Sequence, residues 1–168
     1  LPSAEEVVKE IINTGQKALA FRVDVSDSRE VKQMMDSVIR EFGRIDILVN
    51  NAAIIRRGTI EELSEEDWDK VIDVNLKGTF NCMKAVVGIM KKQRYGKIVN
   101  ISSIAGKIGD LASAPCYGAS KAGMACLGKS LARELATYNI NVNVVAPHAI
   151  ETDMSKEWPE EKRKNIIA

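Results

Sequence analysis

Hydrophobic positions along the chain switch repeatedly between a helical and a strand period. Val7, Val8, Ile11 and Ile12 recur at helical spacing behind a Ser3/Glu6 capping box and stop at Gly15, which predicts a first helix. Leu19, Phe21, Val23 and Val25 then alternate with Ala20, Arg22 and Asp24, the period of a strand. Asp27 and Glu30 are read as the cap of a second helix, whose stripe of Val31, Met34, Met35, Val38, Ile39 and Phe42 closes at Gly43. A short apolar strand, 45–49, runs into Asn50 and Asn51. Ser64 opens a long helical stretch through Trp68, Val71, Ile72, Phe80, Met83, Val87 and Met90. Residues 98–101 form another strand, a helix runs from Tyr117 to about Tyr138, and a last strand, 140–145, leads into Ala146 and Pro147.

Strands separated by helical crossovers predict an α/β fold: a doubly wound, Rossmann-like parallel sheet with right-handed connections and helices on both faces. In such sheets ligands sit at the carboxyl ends of the strands. The polar and turn residues gather there: Asp24 closes one strand, Asn50 and Asn51 the next, Ser102 and Ser103 the third, and the run from Pro147 to Thr152 the last. Taken singly, an Asn in a turn or a Ser after a strand only satisfies local backbone. Four strand ends together point to one site.

Composition narrows the partners. Lys and Arg number 24 against 23 Asp and Glu, interspersed, so no basic stripe speaks for nucleic acid. No apolar run has the roughly 18 residues that span a bilayer, and no signal pattern opens the chain, so no membrane partner is expected and the localisation expected is cytoplasmic. Cys82, Cys116 and Cys126 lack metal-ligand spacing and His148 is the only histidine, which argues against a zinc site or a disulfide framework. Cys116 reads as a small buried hydrophobe.

The chemistry is concentrated in Tyr-Gly-Ala-Ser-Lys, 117–121. Residues four apart share a helix face, which sets the Lys121 ammonium beside the Tyr117 phenol. A free tyrosine titrates near pH ~10, and a neighbouring cation favours its phenolate, making a proton-exchange device.

In family order, Asn50-Asn51-Ala52-Ala53 after a strand, Val74-Asn75-Leu76 in a long helix, Ile101-Ser102-Ser103, Tyr117 to Lys121, and Pro147-His-Ala-Ile-Glu-Thr152 together resemble the short-chain dehydrogenases and reductases. The resemblance implies hydride transfer between a nicotinamide cofactor, NAD or NADP, and a small-molecule carbonyl or secondary alcohol. Its catalytic set would be Asn75, Ser103, Tyr117 and Lys121. Tyr117 would protonate the carbonyl oxygen and Ser103 would hydrogen-bond it. Lys121 would lower the tyrosine's pKa and hold the nicotinamide ribose, and Asn75 would position a water relaying protons to Lys121. Developing alkoxide charge needs such fixed donors and a poised acid. Ser103 is preferred to Ser102 on the family's spacing, both remaining open. Asp24 and Val25 would contact adenine; Asn51, Ala52 and Ala53 would line the adenosine ribose and the nicotinamide side; Pro147, Ile150 and Thr152 would cradle the carboxamide. The runs 143–147 and 150–154 look closest to the 3-oxoacyl-[acyl-carrier-protein] reductases.

The family's opening strand, Gly-rich turn and helix, which bind the cofactor pyrophosphate, have no counterpart before Asp24. Residues 1–168 are therefore expected to form a single Rossmann-like domain that is incomplete at both ends, the middle of a longer polypeptide. The helices over 67–92 and 117–138 are the faces through which family members pair, so a homodimer or homotetramer is expected. A second class, a catalytically silent relative serving as an oligomerisation or interaction module, would keep those faces without turnover. The intact Ser103, Tyr117 and Lys121 set argues for the enzyme. Ala53 and His148 stand where the family usually has glycine.

Overall fold

A computed structural model describes residues 3–109, 113–148 and 150. In chain order the elements are α1 (Ala4–Asn13), α2 (Ser28–Phe42), β1 (Ile47–Asn50), α3 (Glu65–Ile72), a π-helical turn (Asp73–Lys77), α4 (Gly78–Gln93), β2 (Gly96–Ile101), α5 (Ala105–Ile108), α6 (Pro115–Leu135) and β3 (Ile140–Val145). The three strands form one parallel sheet in the order β1-β2-β3, with Asn50 opposite Asn100 and Ile101 opposite Val145. All three therefore end at the same edge.

Local signals start and stop the helices as expected. At α1, Ser3 Oγ accepts the Glu6 N–H and Glu6 Oε2 accepts the Ser3 N–H, a complete capping box. Asp27 caps α2, and Gly43, at φ 76°, ends it in the left-handed conformation that a Cβ disfavours. Ser64 Oγ accepts from Asp67 N–H at the start of α3.

The core lies between the sheet and α2, α4 and α6: Val31, Met35, Met83, Val86, Met90, Ile98, Leu135 and Ile140 are buried together. Among the described residues these helices lie on one face. The opposite face carries Ile47, Val49 and Val145, all exposed, and the apolar stripe of α1 buries none of its residues.

Two expectations change. Residues 19–25 form no strand: the alternation is present, but an extended segment becomes a strand only with a ladder neighbour, and none of the three sheet strands pairs with it. Leu19 and Phe21 are consequently exposed. The long helix from Ser64 is not one regular α-helix, because the π turn widens it in the middle. Val71, Asn75 and Thr79 face inward at intervals of four, and Trp68 and Phe80, read as part of the apolar stripe, are exposed instead.

Candidate active site

α6 begins at Pro115 in the first turn, where a missing N–H costs nothing, and presents Tyr117, Ser120 and Lys121 toward the strand ends. Lys121 is 3% exposed, and its Nζ donates to the Ile101 carbonyl at the end of β2, 2.7 Å away. The same ammonium stands 5.7 Å from the centre of the Tyr117 ring, so the spacing of four does bring cation and phenol together. Burial makes the charged form costly and pulls the lysine pKa from 10.5 down to about 8.

The two serines separate by role. Ser102 is buried and its Oγ donates to the Lys121 carbonyl at 2.8 Å, tying the end of β2 to α6. Ser103 is half-buried and its Oγ accepts the Ala105 N–H at 3.2 Å, which leaves its hydroxyl proton available. Of the pair, Ser103 is the more exposed. α5 follows it directly and lies so close to α6 that a Cβ on Gly106 would stand 2.7 Å from the Ala122 backbone nitrogen.

Asn75 is wholly buried in the π turn. Its Oδ1 accepts the Ile54 N–H at 2.8 Å, and its Nδ2 donates to the Ile54 carbonyl at 2.9 Å and to Ser120 Oγ at 3.0 Å. Ser120 Oγ donates onward to the Tyr117 carbonyl at 2.7 Å. Both amide hydrogens of Asn75 are thus committed to anchoring the loop after β1 to the helix that carries Tyr117. Sequence reasoning passed over Ser120; its place inside Tyr-x-x-x-Lys, on the face toward Asn75, was the available signal.

A cleft of about 140 Å³ opens beside this group. Val25 forms one wall, Asn51 and Ala52 the other, and Gly78 and Thr79 the floor. Three residues expected to contact a cofactor therefore line one cavity. Asp24 is exposed at its rim; its Oδ1 accepts the Ser26 N–H and hydroxyl, which hold its carboxyl below the usual range. Ala53 is exposed beyond Ala52. The lateral pair Asn50 Nδ2 to Asn100 Oδ1, 2.8 Å, braces the ends of β1 and β2 beneath the site and was also missed. Ser102 N–H donates to the Val145 carbonyl and Ile104 N–H to the Pro147 carbonyl, drawing Pro147 to the same rim. Ile150 is exposed, as is His148. Thr152, expected at the carboxamide, lies outside the described residues. Cys116 is buried against Val71 and Ala114, as a small hydrophobe.

Arranged this way the site holds a buried amine, a phenol and a serine hydroxyl at one strand edge beside a slot with an apolar wall and polar shoulders. The amine and phenol suit proton exchange with a polarised oxygen. Among the described residues no group of His, Cys, Asp and Glu is gathered as a metal site, and no helix is long and apolar enough to cross a membrane.

The profile of the short chain dehydrogenase family matches residues 2–163. A 3-oxoacyl-[acyl-carrier-protein] reductase of Staphylococcus aureus (strain Mu50) is 44% identical over 164 residues, which cover 98% of this chain and 66% of that protein. The enzyme of the same name from Thermotoga maritima is likewise 44% identical over 98% of this chain and 66% of its own. Among solved structures, NAD+-bound xylitol dehydrogenase superimposes with a TM-score of 0.84 at 34% identity, over 89% of this chain and 58% of that one. The structure of gox2181 gives a TM-score of 0.88 at 35% identity, over 94% and 62%. The chain thus spans just under two thirds of the length of the reductases it matches.

Proposed function

The chain belongs to the short-chain dehydrogenase family, and from that premise we propose that it serves an oxidoreductase that moves a hydride between NAD or NADP and a carbonyl or secondary alcohol, with a 3-oxoacyl thioester as the favoured substrate. The observation that carries this reading is the burial of Lys121. A lysine 3% exposed, with its Nζ on one carbonyl and its pKa pulled down to about 8, weakens the fold. An apolar side chain would fill the position at less cost. Its retention beside a phenol speaks for chemistry, because perturbed titrating groups in a cleft are what proton transfer requires.

The residues present fit a nicotinamide dinucleotide: the cleft of Val25, Asn51 and Ala52 would take the adenosine end, and Pro147, Ile150 and Lys121 the nicotinamide end. When bound, the cofactor supplies or accepts the hydride. Tyr117 gives its phenolic proton to the carbonyl oxygen as that oxygen gains charge, and takes it back in the reverse direction. Ser103 Oγ donates a hydrogen bond to the same oxygen. Lys121 stabilises the phenolate left behind and returns a proton to it. Asn75 and Ser120 fix the Tyr117 turn against the loop that follows β1, so that acid and cofactor side keep one spacing. The identity to the acyl-carrier-protein reductases favours a thioester over a polyol, and the likeness to xylitol dehydrogenase keeps the polyol as the competing substrate.

Assembly into a homodimer or homotetramer belongs to the same proposal, since α4 and α6 leave Phe80, Ala119, Ala122 and Cys126 exposed on their outer faces.

Replacing Tyr117 with Phe in the full chain tests the mechanism. Turnover is expected to fall by about 10³-fold or more, because the substitution removes the proton that passes to the carbonyl oxygen, with dinucleotide affinity within about threefold of the parent. Turnover near the parent's would refute the assignment of the acid.

A further inference from the structure

Among the described residues the segment 19–25 pairs with none of the three sheet strands, and Val25 at its end lines the cleft, held there by side chains of α2 and α4. We propose that Asn81 and Gly78, on the first turn of α4, are positioning residues that set the width of the cofactor cleft by fixing the Asp24–Val25 turn. The proposal rests on the assignment of this cleft to the adenosine end of a dinucleotide.

Asn81 is 6% exposed. Its Nδ2 donates to the Val25 carbonyl at 3.0 Å and the Ser26 carbonyl at 3.2 Å, so both amide hydrogens are given to the backbone of the turn. On the other side, Glu30 Oε2 accepts the Asp24 N–H at 2.8 Å. The turn is therefore gripped from α4 beneath and from α2 behind. One helical turn before Asn81, Gly78 is buried directly under the Val25 side chain. A Cβ at Gly78 would stand 2.6 Å from Val25 Cγ2 and 3.1 Å from Val25 Cβ. Valine is branched at Cβ and stiff at χ1, so it cannot swing aside and the turn itself would have to move. The glycine thus fixes how closely Val25 approaches the floor, and the asparagine fixes its backbone. The bonds described for Asn81 go to the backbone of this turn, and the contact at Gly78 is with Val25, so the effect expected is on binding at the adenosine end of the cleft.

The test uses the full chain with Asn81→Ala, Gly78→Ala and, as control, Gly88→Ala, where an added Cβ meets nothing within 4 Å. Affinity is read from the fluorescence of the reduced nicotinamide ring with two probes, the reduced dinucleotide and reduced nicotinamide mononucleotide, which lacks adenosine. Asn81→Ala, through its lost hydrogen bonds, and Gly78→Ala, through the displaced Val25, are each expected to weaken the dinucleotide about tenfold, while the mononucleotide and the control stay within about twofold. The KM for the dinucleotide rises in step, and kcat at saturation is unchanged. Should thermal melting show Asn81→Ala unfolded, Gly78→Ala carries the test, because alanine is the better helix former. Equal dinucleotide affinity in parent and folded variants overturns the positioning role alone. An equal loss on both probes overturns it too, by showing a general disturbance. A parent chain that binds no dinucleotide overturns both this proposal and the assignment of the cleft.

Discussion

Replacing Lys121 with Met should uncouple activity from stability, and its size follows from the burial. In the folded chain the amine titrates near pH 8, against 10.5 for an ordinary lysine. The cation is the form the fold disfavours. Between these two values the unfolded chain holds a proton that the folded chain has released, so the lysine's penalty shrinks as pH rises from 8 toward 10.5 and is at its full size below 8. For one such group the penalty is about 3 kcal/mol at pH 7 and about 1 kcal/mol at pH 9.5, a difference of about 2 kcal/mol. Methionine has no charge to bury and so carries no such penalty. Against this relief, the Ile101 carbonyl loses its 2.7 Å partner, at a cost of about 1–3 kcal/mol that does not vary with pH. Urea denaturation of parent and variant at pH 7 and pH 9.5, with Tyr117→Phe as the common background, separates the two effects, because titrating groups that do not feel Lys121 cancel in the comparison. The stability of the parent relative to Lys121→Met should rise by about 2 kcal/mol between the two pH values, with turnover lost at both in the chain carrying Lys121→Met alone. Parallel pH dependence of the two proteins would refute the claim that this amine is buried and easily deprotonated.

Two further substitutions probe the scaffold of the site. Gly106→Ala adds a Cβ that meets the backbone of Ala122 and Lys121 at 2.7 and 2.8 Å, neither able to yield, so α5 must move off α6 and carry Ser103 with it; kcat should fall about tenfold with dinucleotide affinity nearly unchanged, and an unaltered kcat would contradict the placement. Ser120→Ala leaves a buried Asn75 N–H without its acceptor and should lower stability by about 1–3 kcal/mol in denaturant titration, a neutral result contradicting the Asn75–Ser120–Tyr117 chain.

Much of this architecture is legible in local sequence. The capping box at Ser3 and Glu6, the Asp27 and Ser64 caps and the Gly43 stop depend only on near neighbours, and each forms as expected. The Tyr117–Lys121 pair is equally local, since helical spacing alone places one beside the other. What escapes local reading depends on residues far apart in the chain. Leu19 to Val25 has a strand's alternation but acquires no ladder, because alternation specifies faces and not a neighbour. Glu30, taken for a capping partner of Asp27, reaches back instead to the Asp24 N–H. The π turn at Asp73–Lys77 has no compositional mark, yet it turns Asn75 inward and leaves Trp68 and Phe80 outside. Asn81 reads as one more polar residue on a helix until Val25 and Ser26, 56 and 55 positions earlier, are brought against it. The depth at which Lys121 is buried is likewise a product of α5, α6 and β2 meeting, and no spacing rule carries it.

The most direct test of hydride transfer follows a label. The full chain would be given an acetoacetyl thioester and the reduced dinucleotide carrying deuterium on the transferable face of its nicotinamide ring, and the product analysed by mass spectrometry. Deuterium on the carbinol carbon of a hydroxyacyl product, one atom for each cofactor oxidised, with none formed by Tyr117→Phe, is the result expected. Cofactor oxidation without label in the product, or no oxidation with the thioester or with a polyol's ketone, would contradict the account.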